Sequence, residues 1–347
     1  MKTNEMNIGG RLVGEEHPPL IIPEIGINHN GSIVIAKEMI DAAAAVGAEI
    51  VKFQTHIPEY EMSEEAKNII PANANKSIYK IMEESALTYE EELELKLYTE
   101  AKGLIYLSTP FSIKAVDRLE KLNVCAYKIG SGECNNIPLV EYIVSKGKPI
   151  ILSTGMNTIE SIKKTVNIIK KRNVPLAILH CTNLYPTPAH LVRLGGISIL
   201  KSKFPHEVIG FSDHTVNSNA SLAAISLGAS IIERHFTDTK ERIGPDIICS
   251  MDKNDLKSLI ITAKEIDLML GGDIEPAEEE KDTAKFAFAT VVAIKNIAKG
   301  QEFTPQNIVA RRPNVGGIPA ESLSSLYNRK ALRDINKGEH LEWEVVE

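Results

Sequence analysis

Two apolar runs of this chain stop abruptly at ionisable side chains. "VIGFSDHT" ends in Asp213-His214, and "IIERHF" ends in Glu233-Arg234-His235. Strands that finish this way deliver imidazoles to their ends. Two neutral imidazoles with open positions suit a divalent cation that keeps water or substrate ligands. Asp213 and Glu233 would then orient the rings as hydrogen-bond acceptors. A histidine general base is a competing chemistry. A Schiff base on Lys128, within "YKIGSGE", is another. Spacing alone leaves all three open. Lys52 and Lys128 offer two cations, while Thr109, Ser131 and Ser153 offer hydroxyls. The Gly130-Ser131-Gly132 turn can add backbone N–H groups, which makes the set fit for a multiply charged anion. Each residue also has an ordinary reading: a hydroxyl caps the next helix, Lys52 neutralises Glu24, and a lone histidine is structural.

Such residues need a scaffold that gathers strand ends. From about residue 20 to 270, short β-branched runs ("LIIPEIGI", "EIVKFQ", "LIYLST", "CAYKIG", "PIILST", "PLAILHC", "EVIGFSD", "SIIERHF") alternate with amphipathic segments. Several of those segments close on glycine, as helix C-termini prefer (Gly47, Gly103, Gly147, Gly228). Eight such units in this length predict an α/β protein with a closed (β/α)8 TIM barrel. An open doubly wound sheet is the alternative, although no GxGxxG follows the first strand. Barrel chemistry collects at the C-terminal strand ends. Those ends carry Glu24, Asn28 and His29; Lys52 and Gln54; Ser108 and Thr109; Lys128, Ser131 and Glu133; Ser153 and Thr154; His180, Thr182, Asn183 and Tyr185; then His214 and His235.

The 347 residues suit one large and one small domain. A net charge of −7 without a basic face argues against nucleic-acid binding. The N-terminus lacks a signal-peptide core, and no apolar run reaches membrane-spanning length. Four isolated cysteines read as free thiols in a reducing compartment, so a cytoplasmic location is expected. Residues 55–88 form a long connection of the kind that serves as a lid. The organisation expected is a barrel over 1–270, an acidic linker over 271–285 and a small β-rich domain over 286–347. In that last part "VAIKNIAKGQEF" is echoed by "KALRDINKGEHL".

"EIGINHNG", "VKFQTH", "STPFS", "YKIGSGECNN", "STGM", "HCTNLYPTP", "SDHT" and "ERHFTD…GPD" resemble the sialic acid synthases nearly end to end. The final domain resembles the antifreeze-like (SAF) domain of that family. The resemblance implies condensation of phosphoenolpyruvate with N-acetylmannosamine to give N-acetylneuraminate and phosphate. Sibling enzymes use diacetamido sugars to make legionaminic or pseudaminic acid. It implies that His214 and His235 hold a divalent ion, Mn²⁺ foremost, with Co²⁺ or Mg²⁺ also admissible. Lys52, Gln54, Thr109, Lys128, Ser131 and Ser153 would bind phosphoenolpyruvate; Glu24, Asn73, Asn183, Tyr185 and Asp246 would position the sugar. Glu133 is the candidate for proton handling. A domain-swapped homodimer would bring Arg312, in "ARRP", over the partner's sugar site. An enolpyruvate already carries its nucleophilic carbon, so the lysine imine becomes unnecessary. Ice binding fits the last domain poorly, because Arg311, Arg312, Lys330 and Arg333 break up any flat apolar or Thr-rich face.

Overall fold

The computed structural model describes residues 4–71 and 74–347, and the chain divides into two compact units at Gly271/Gly272. The first unit begins with a hairpin, β1 (Glu5–Ile8) and β2 (Arg11–Gly14), paired antiparallel across the Gly9-Gly10 turn. Both turn glycines have positive φ, +59° and +98°, which the tight reversal requires. Eight parallel strands follow: β3 (Leu20–Gly26), β4 (Ile50–Thr55), β5 (Ile105–Pro110), β6 (Tyr127–Ile129), β7 (Ile150–Ser153), β8 (Leu176–Cys181), β9 (Val208–Asp213) and β10 (Ile231–His235). Their order in the sheet is β5-β4-β3-β10-β9-β8-β7-β6. With β5 packed against β6, the sheet rolls into a nearly closed TIM-like barrel, as the alternation of strands and helices predicts.

Residues pointing into the barrel change character along each strand. Leu20, Ile22, Ile50, Leu107, Ile151, Leu179 and Ile231 fill its lower part as one buried cluster. Two residues further on, the inward positions are Glu24, Lys52, Thr109, Ser153, Cys181 and Glu233. The period-two alternation of a strand therefore builds an apolar floor and a polar upper layer from the same runs. The hairpin closes the bottom: Met6, Ile8 and Val13 are buried in that same cluster. Burial of that kind stabilises by roughly 1.5–3 kcal/mol per side chain. Nothing in the sequence reading anticipated this plug.

Helices surround the barrel, and their caps answer one ordinary reading of the strand-end hydroxyls. Ser32, Ser112, Asn136 and Thr158 accept from backbone N–H groups at the starts of helices Ile33–Ala44, Ile113–Lys121, Ile137–Val144 and Ile159–Lys170. These residues lie several positions beyond Thr109, Ser131 and Ser153, which leaves those hydroxyls free of capping duty. The long connection after β4 folds into a short helix (Pro58–Glu61), a 3-10 turn (Glu64–Asn68) and a second helix (Ile78–Ser85).

The second unit has its own core, with Phe303, Ile308, Ile318, Leu326 and Leu341 fully buried. Its strands β11 (Thr290–Ala293) and β12 (Ile308–Arg311) pair antiparallel. The weak sequence repeat turns into reciprocal pairing: Ile297 and Ile335 exchange both backbone hydrogen bonds, at 2.9 and 2.8 Å. Gly300 N–H donates to Ala331 and Gly338 N–H to Ala293, the equivalent bond in each half. The stretch expected as linker carries a 3-10 turn (Glu278–Glu280) and most of a short helix (Lys281–Ala287).

Between barrel and helices, Glu92 is a buried carboxylate, 3.2 Å from Arg118 and 3.4 Å from the Thr55 hydroxyl. Burial pushes its pKa up to about 7, and Arg118 only partly offsets this. A folded-state pKa above the unfolded one means stability is lost as pH rises from about 4.5 towards 7. Glu92→Gln lacks that loss. Its Tm relative to the parent should climb between pH 5 and 8 in thermal melts; a pH-independent difference would contradict the assignment.

Candidate active site

The polar layer meets in one cavity at the C-terminal ends of the strands. Glu24, Lys52, Gln54, Thr109, Lys128, Ser131 and Ser153 line it from one side. Asn183, Tyr185, His214, Glu233 and His235 line it from the other. Glu24 and Lys52 are register partners on adjacent strands, which puts their head groups 2.5 Å apart. The register shifts just beyond Glu24, and Gly26, at φ +54°, takes up the bulge.

Two lysines dominate the electrostatics. Lys52 Nζ donates to Thr109 Oγ1 at 3.1 Å, and Lys128 Nζ to Ser153 Oγ at 2.7 Å. Glu233 stands between them, 3.4 Å from Lys128 and 3.8 Å from Lys52. Burial alone would raise the Glu233 pKa, but Lys128 and Lys52 win and hold it below the usual value. Glu24 goes the other way: burial outweighs Lys52 and lifts its pKa to about 7. Burial also lowers the Lys128 pKa. The result is a balanced set of two ammonium and two carboxyl groups, all fenced from water. Ser131 Oγ accepts from Gly155 N–H at 3.0 Å, which turns the Gly130-Ser131-Gly132 segment towards the same pocket.

On the far side three rings pack together. Tyr185 lies on His214 with centroids 4.1 Å apart, and the His214 and His235 centroids are 5.5 Å apart. His214 Nδ1–H donates to the Thr182 carbonyl at 2.9 Å, so Nε2 is the nitrogen a cation could engage by displacing the second ring proton. Burial would lower the His214 pKa; the nearby Cys181 thiol chiefly, with the Thr182 carbonyl and Glu233, raises it to about 9. His235 Nδ1 is buried without a hydrogen-bond partner, 3.8 Å from an Asp246 oxygen. Burial first, then His214 and the lysines, keep the His235 pKa well below its ordinary value. Burial lifts Asp246 to about 6. One imidazole that presents Nε2 and another with an orphaned ring nitrogen fit an open divalent-metal site. Among the described residues no group of three or more His, Cys, Asp or Glu forms a closed cage.

Several expected assignments change. Asp213 and Glu233 do not orient the imidazoles. Asp213 lies on the outer face, accepting from Thr215 N–H and the Ser221 hydroxyl beside Arg234, 3.6 Å away. Arg234 in turn donates to the Thr215 carbonyl and the Ser218 hydroxyl, so this buried pair braces the loop that carries His214. Ser108, His180 and Thr182 likewise point away from the cavity, bonded to Thr55, the Val192 carbonyl and the Leu191 carbonyl. Thr154 donates to the Leu179 carbonyl, Asn28 donates to the Phe236 carbonyl, and the His29 ring accepts from Gly31. Ser108, Thr154, His180, Thr182 and Asp213 stand one step out of the inward period, which a strict count along each strand would have revealed, whereas Asn28 and His29 lie beyond the end of β3. Cys181 and Ser212, in phase and inside the cavity, were missed because their side chains carry no charge signature.

Glu133 and Asp246 line an outer cavity of about 400 Å³ that continues the site past Tyr185 and His235. Its other wall is the long connection, through Glu61, Met62, Ile78, Ile81 and Met82. Asn73 lies outside the described residues. Arg312 is exposed immediately after β12 of the second unit.

A barrel that gathers two caged lysines and two facing imidazoles at its C-terminal strand ends is equipped as an enzyme active site. Comparison with known proteins gives the family. Residues 39–275 match the NeuB family and residues 288–347 match the SAF domain. The chain is 37% identical to an uncharacterized protein of Methanocaldococcus jannaschii over 98% of both chains. It is 36% identical to the N,N'-diacetyllegionaminic acid synthase of Campylobacter jejuni, over 92% of this chain and 98% of that one. A crystal structure of the N-acetylneuraminic acid synthetase of Leptospira borgpetersenii, in complex with citrate, superposes with a TM-score of 0.74. Identity is 31%, over 81% of this chain and 95% of that one. The chain belongs to the NeuB family of sialic-acid-type synthases and ends in an SAF domain.

Gly155 has no room for a side chain. A Cβ there would stand 1.9 Å from Asn183 Oδ1 and 3.0 Å from Ser131 Oγ. Gly155→Ala should push Asn183 out of the cavity and cut turnover about a hundredfold, the scale of an ångström-level misplacement. A crystal structure and kinetics of the variant check this; Asn183 unmoved at full turnover would contradict it.

Proposed function

We propose that this enzyme condenses phosphoenolpyruvate with N-acetylmannosamine and water, giving N-acetylneuraminate and inorganic phosphate. The observation that carries the reading is the single cavity in which Lys52–Thr109 and Lys128–Ser153 face the His214–His235 pair. An enolpyruvate phosphate and carboxylate supply the negative charge that two buried ammonium groups and the Ser131 turn are built to receive. Glu24 and Glu233 neutralise the lysines until that substrate arrives.

The carbon–carbon bond forms between carbon 3 of the enolpyruvate and carbon 1 of the open-chain sugar. Carbon 2 becomes cationic, water adds there, and the C–O bond to phosphate breaks. The lysines stabilise charge that stays within the pocket throughout. His214 and His235 would hold the divalent ion, Mn²⁺ foremost, which supplies Lewis-acid polarisation of a carbonyl when bound. Asn183, Tyr185 and Asp246, together with Asn73, would contact the sugar chain. Arg312, contributed by a second copy in a domain-swapped homodimer, would add a guanidinium over the sugar. A cytoplasmic setting is part of this proposal; among the described residues no helix is long and apolar enough to cross a membrane.

A second reading has its own support. The outer cavity is walled by Ile27, Met62, Ile81, Met82 and Phe111, and a relative at 36% identity is named for a diacetamido product. Apolar walls favour a second acetamido methyl over a hydroxyl.

Phosphate release from phosphoenolpyruvate should require an amino sugar, stop with EDTA and return with Mn²⁺. His235→Ala should abolish both turnover and Mn²⁺ binding measured by calorimetry. Activity indifferent to chelation would refute the metal role, and kcat/KM for N-acetylmannosamine against its diacetamido analogue decides the sugar. Glu133 is half-buried, its carboxyl raised by burial and bonded to Asn136 at 2.7 Å. That places a proton-accepting group at the outer cavity. Glu133→Gln should lower kcat and flatten the pH profile; unchanged turnover across pH removes it from that role.

A further inference from the structure

A hydrogen-bond chain runs from the long connection after β4 into the charged layer. His56 Nδ1 lies 2.9 Å from Glu61 Oε1, and Nε2 lies 2.9 Å from Gln54 Oε1. Gln54 Nε2 donates to Glu24 Oε1 at 3.0 Å, and Glu24 pairs with Lys52. Both side chains of the His56–Glu61 pair are 3% exposed, so solvent competes for neither bond. Phe111 stacks on the imidazole, centroids 4.3 Å apart and planes 15° apart. Every neighbour of the ring nitrogens is an oxygen. A carboxylate only accepts, and the Gln54 oxygen faces the ring because its amide nitrogen is spent on Glu24. With Glu24 ionised against Lys52, rotating that amide would set oxygen against oxygen.

We propose that His56 is a doubly donating imidazolium that fixes the Gln54 carboxamide, making it a positioning residue for the enolpyruvate side of the site. Glu61 supplies the compensating charge inside the protein, and the stacked ring of Phe111 suits a cation. Through this link the short helix Pro58–Glu61, one wall of the outer cavity, is tied to the polar layer that holds Glu24 and Lys52. The role in phosphoenolpyruvate binding rests on the function proposed above, whereas the protonation state does not.

Two measurements on the full chain separate those parts. With histidine-selective ¹⁵N labelling at neutral pH, the ligand-free enzyme should show a histidine bearing protons on both ring nitrogens that disappears in His56→Gln. If the signal lost on substitution has a single protonated nitrogen, the proposal is overturned, whatever the substrate proves to be. In kinetics, Glu61→Gln and His56→Gln should each raise KM for phosphoenolpyruvate about tenfold, the scale of one charge-assisted hydrogen bond. KM for the sugar should stay close to the parent, whatever stability the loss of the buried pair costs. A rise in sugar KM alone, or a fall in Tm with KM for phosphoenolpyruvate unchanged, would reduce His56 to a wall or packing role and sink the inference. Glu61→Gln keeps the aromatic stack intact, so it reports even if His56→Gln folds poorly.

Discussion

The charge balance among Glu24, Lys52, Lys128 and Glu233 is the constraint on which the site depends. Four ionisable groups inside a barrel survive only if each is matched, because an unmatched charge there costs several kcal/mol. Parallel register provides the match, setting Glu24 beside Lys52 and leaving Glu233 to bridge both lysines. The same balance makes the cavity responsive to an anion. A polyanion entering beside the lysines competes with the two carboxylates for their donors, and a Glu24 carboxyl raised to about 7 takes up a proton readily in exchange.

The layers beneath this set give it rigidity. Isoleucine and leucine fill the lower barrel, and the N-terminal hairpin seals the floor. Each catalytic-face side chain therefore projects from a strand whose preceding inward residue is immobilised in close packing. Outside the barrel wall the buried Asp213–Arg234 pair does a comparable job for one loop, holding the segment between Thr215 and Ser218 that follows His214. The functional rings stand on two supports, one apolar and one ionic.

The insertion after β4 adds the element that separates this barrel from a generic one. Its first helix is bolted to the polar layer through His56 and Gln54, while its second helix presents Ile78, Ile81 and Met82 to the outer cavity. One connection thus reaches both the polar layer and the apolar mouth. The second unit shows a different economy, in which two copies of one short motif satisfy each other's backbone groups around a core of about a dozen side chains.

Sequence by itself determined the strand count, the barrel, the glycine-terminated helices and most of the cavity. Inward charged and hydroxyl residues recur at fixed strand positions, and a two-residue period is readable without coordinates. It went astray at Asp213, Ser108 and His180, where an ionisable or polar residue one step out of phase looked functional and proved to serve the outer wall. Tertiary structure alone decided what bridges Lys52 to Lys128, which nitrogen of His214 the Thr182 carbonyl engages, and what closes the barrel floor. Those outcomes depend on distances between residues far apart in the chain. The Glu233–Lys52 contact spans 181 positions, since 233 − 52 = 181. No local propensity encodes such a pairing; the closure of the sheet creates it.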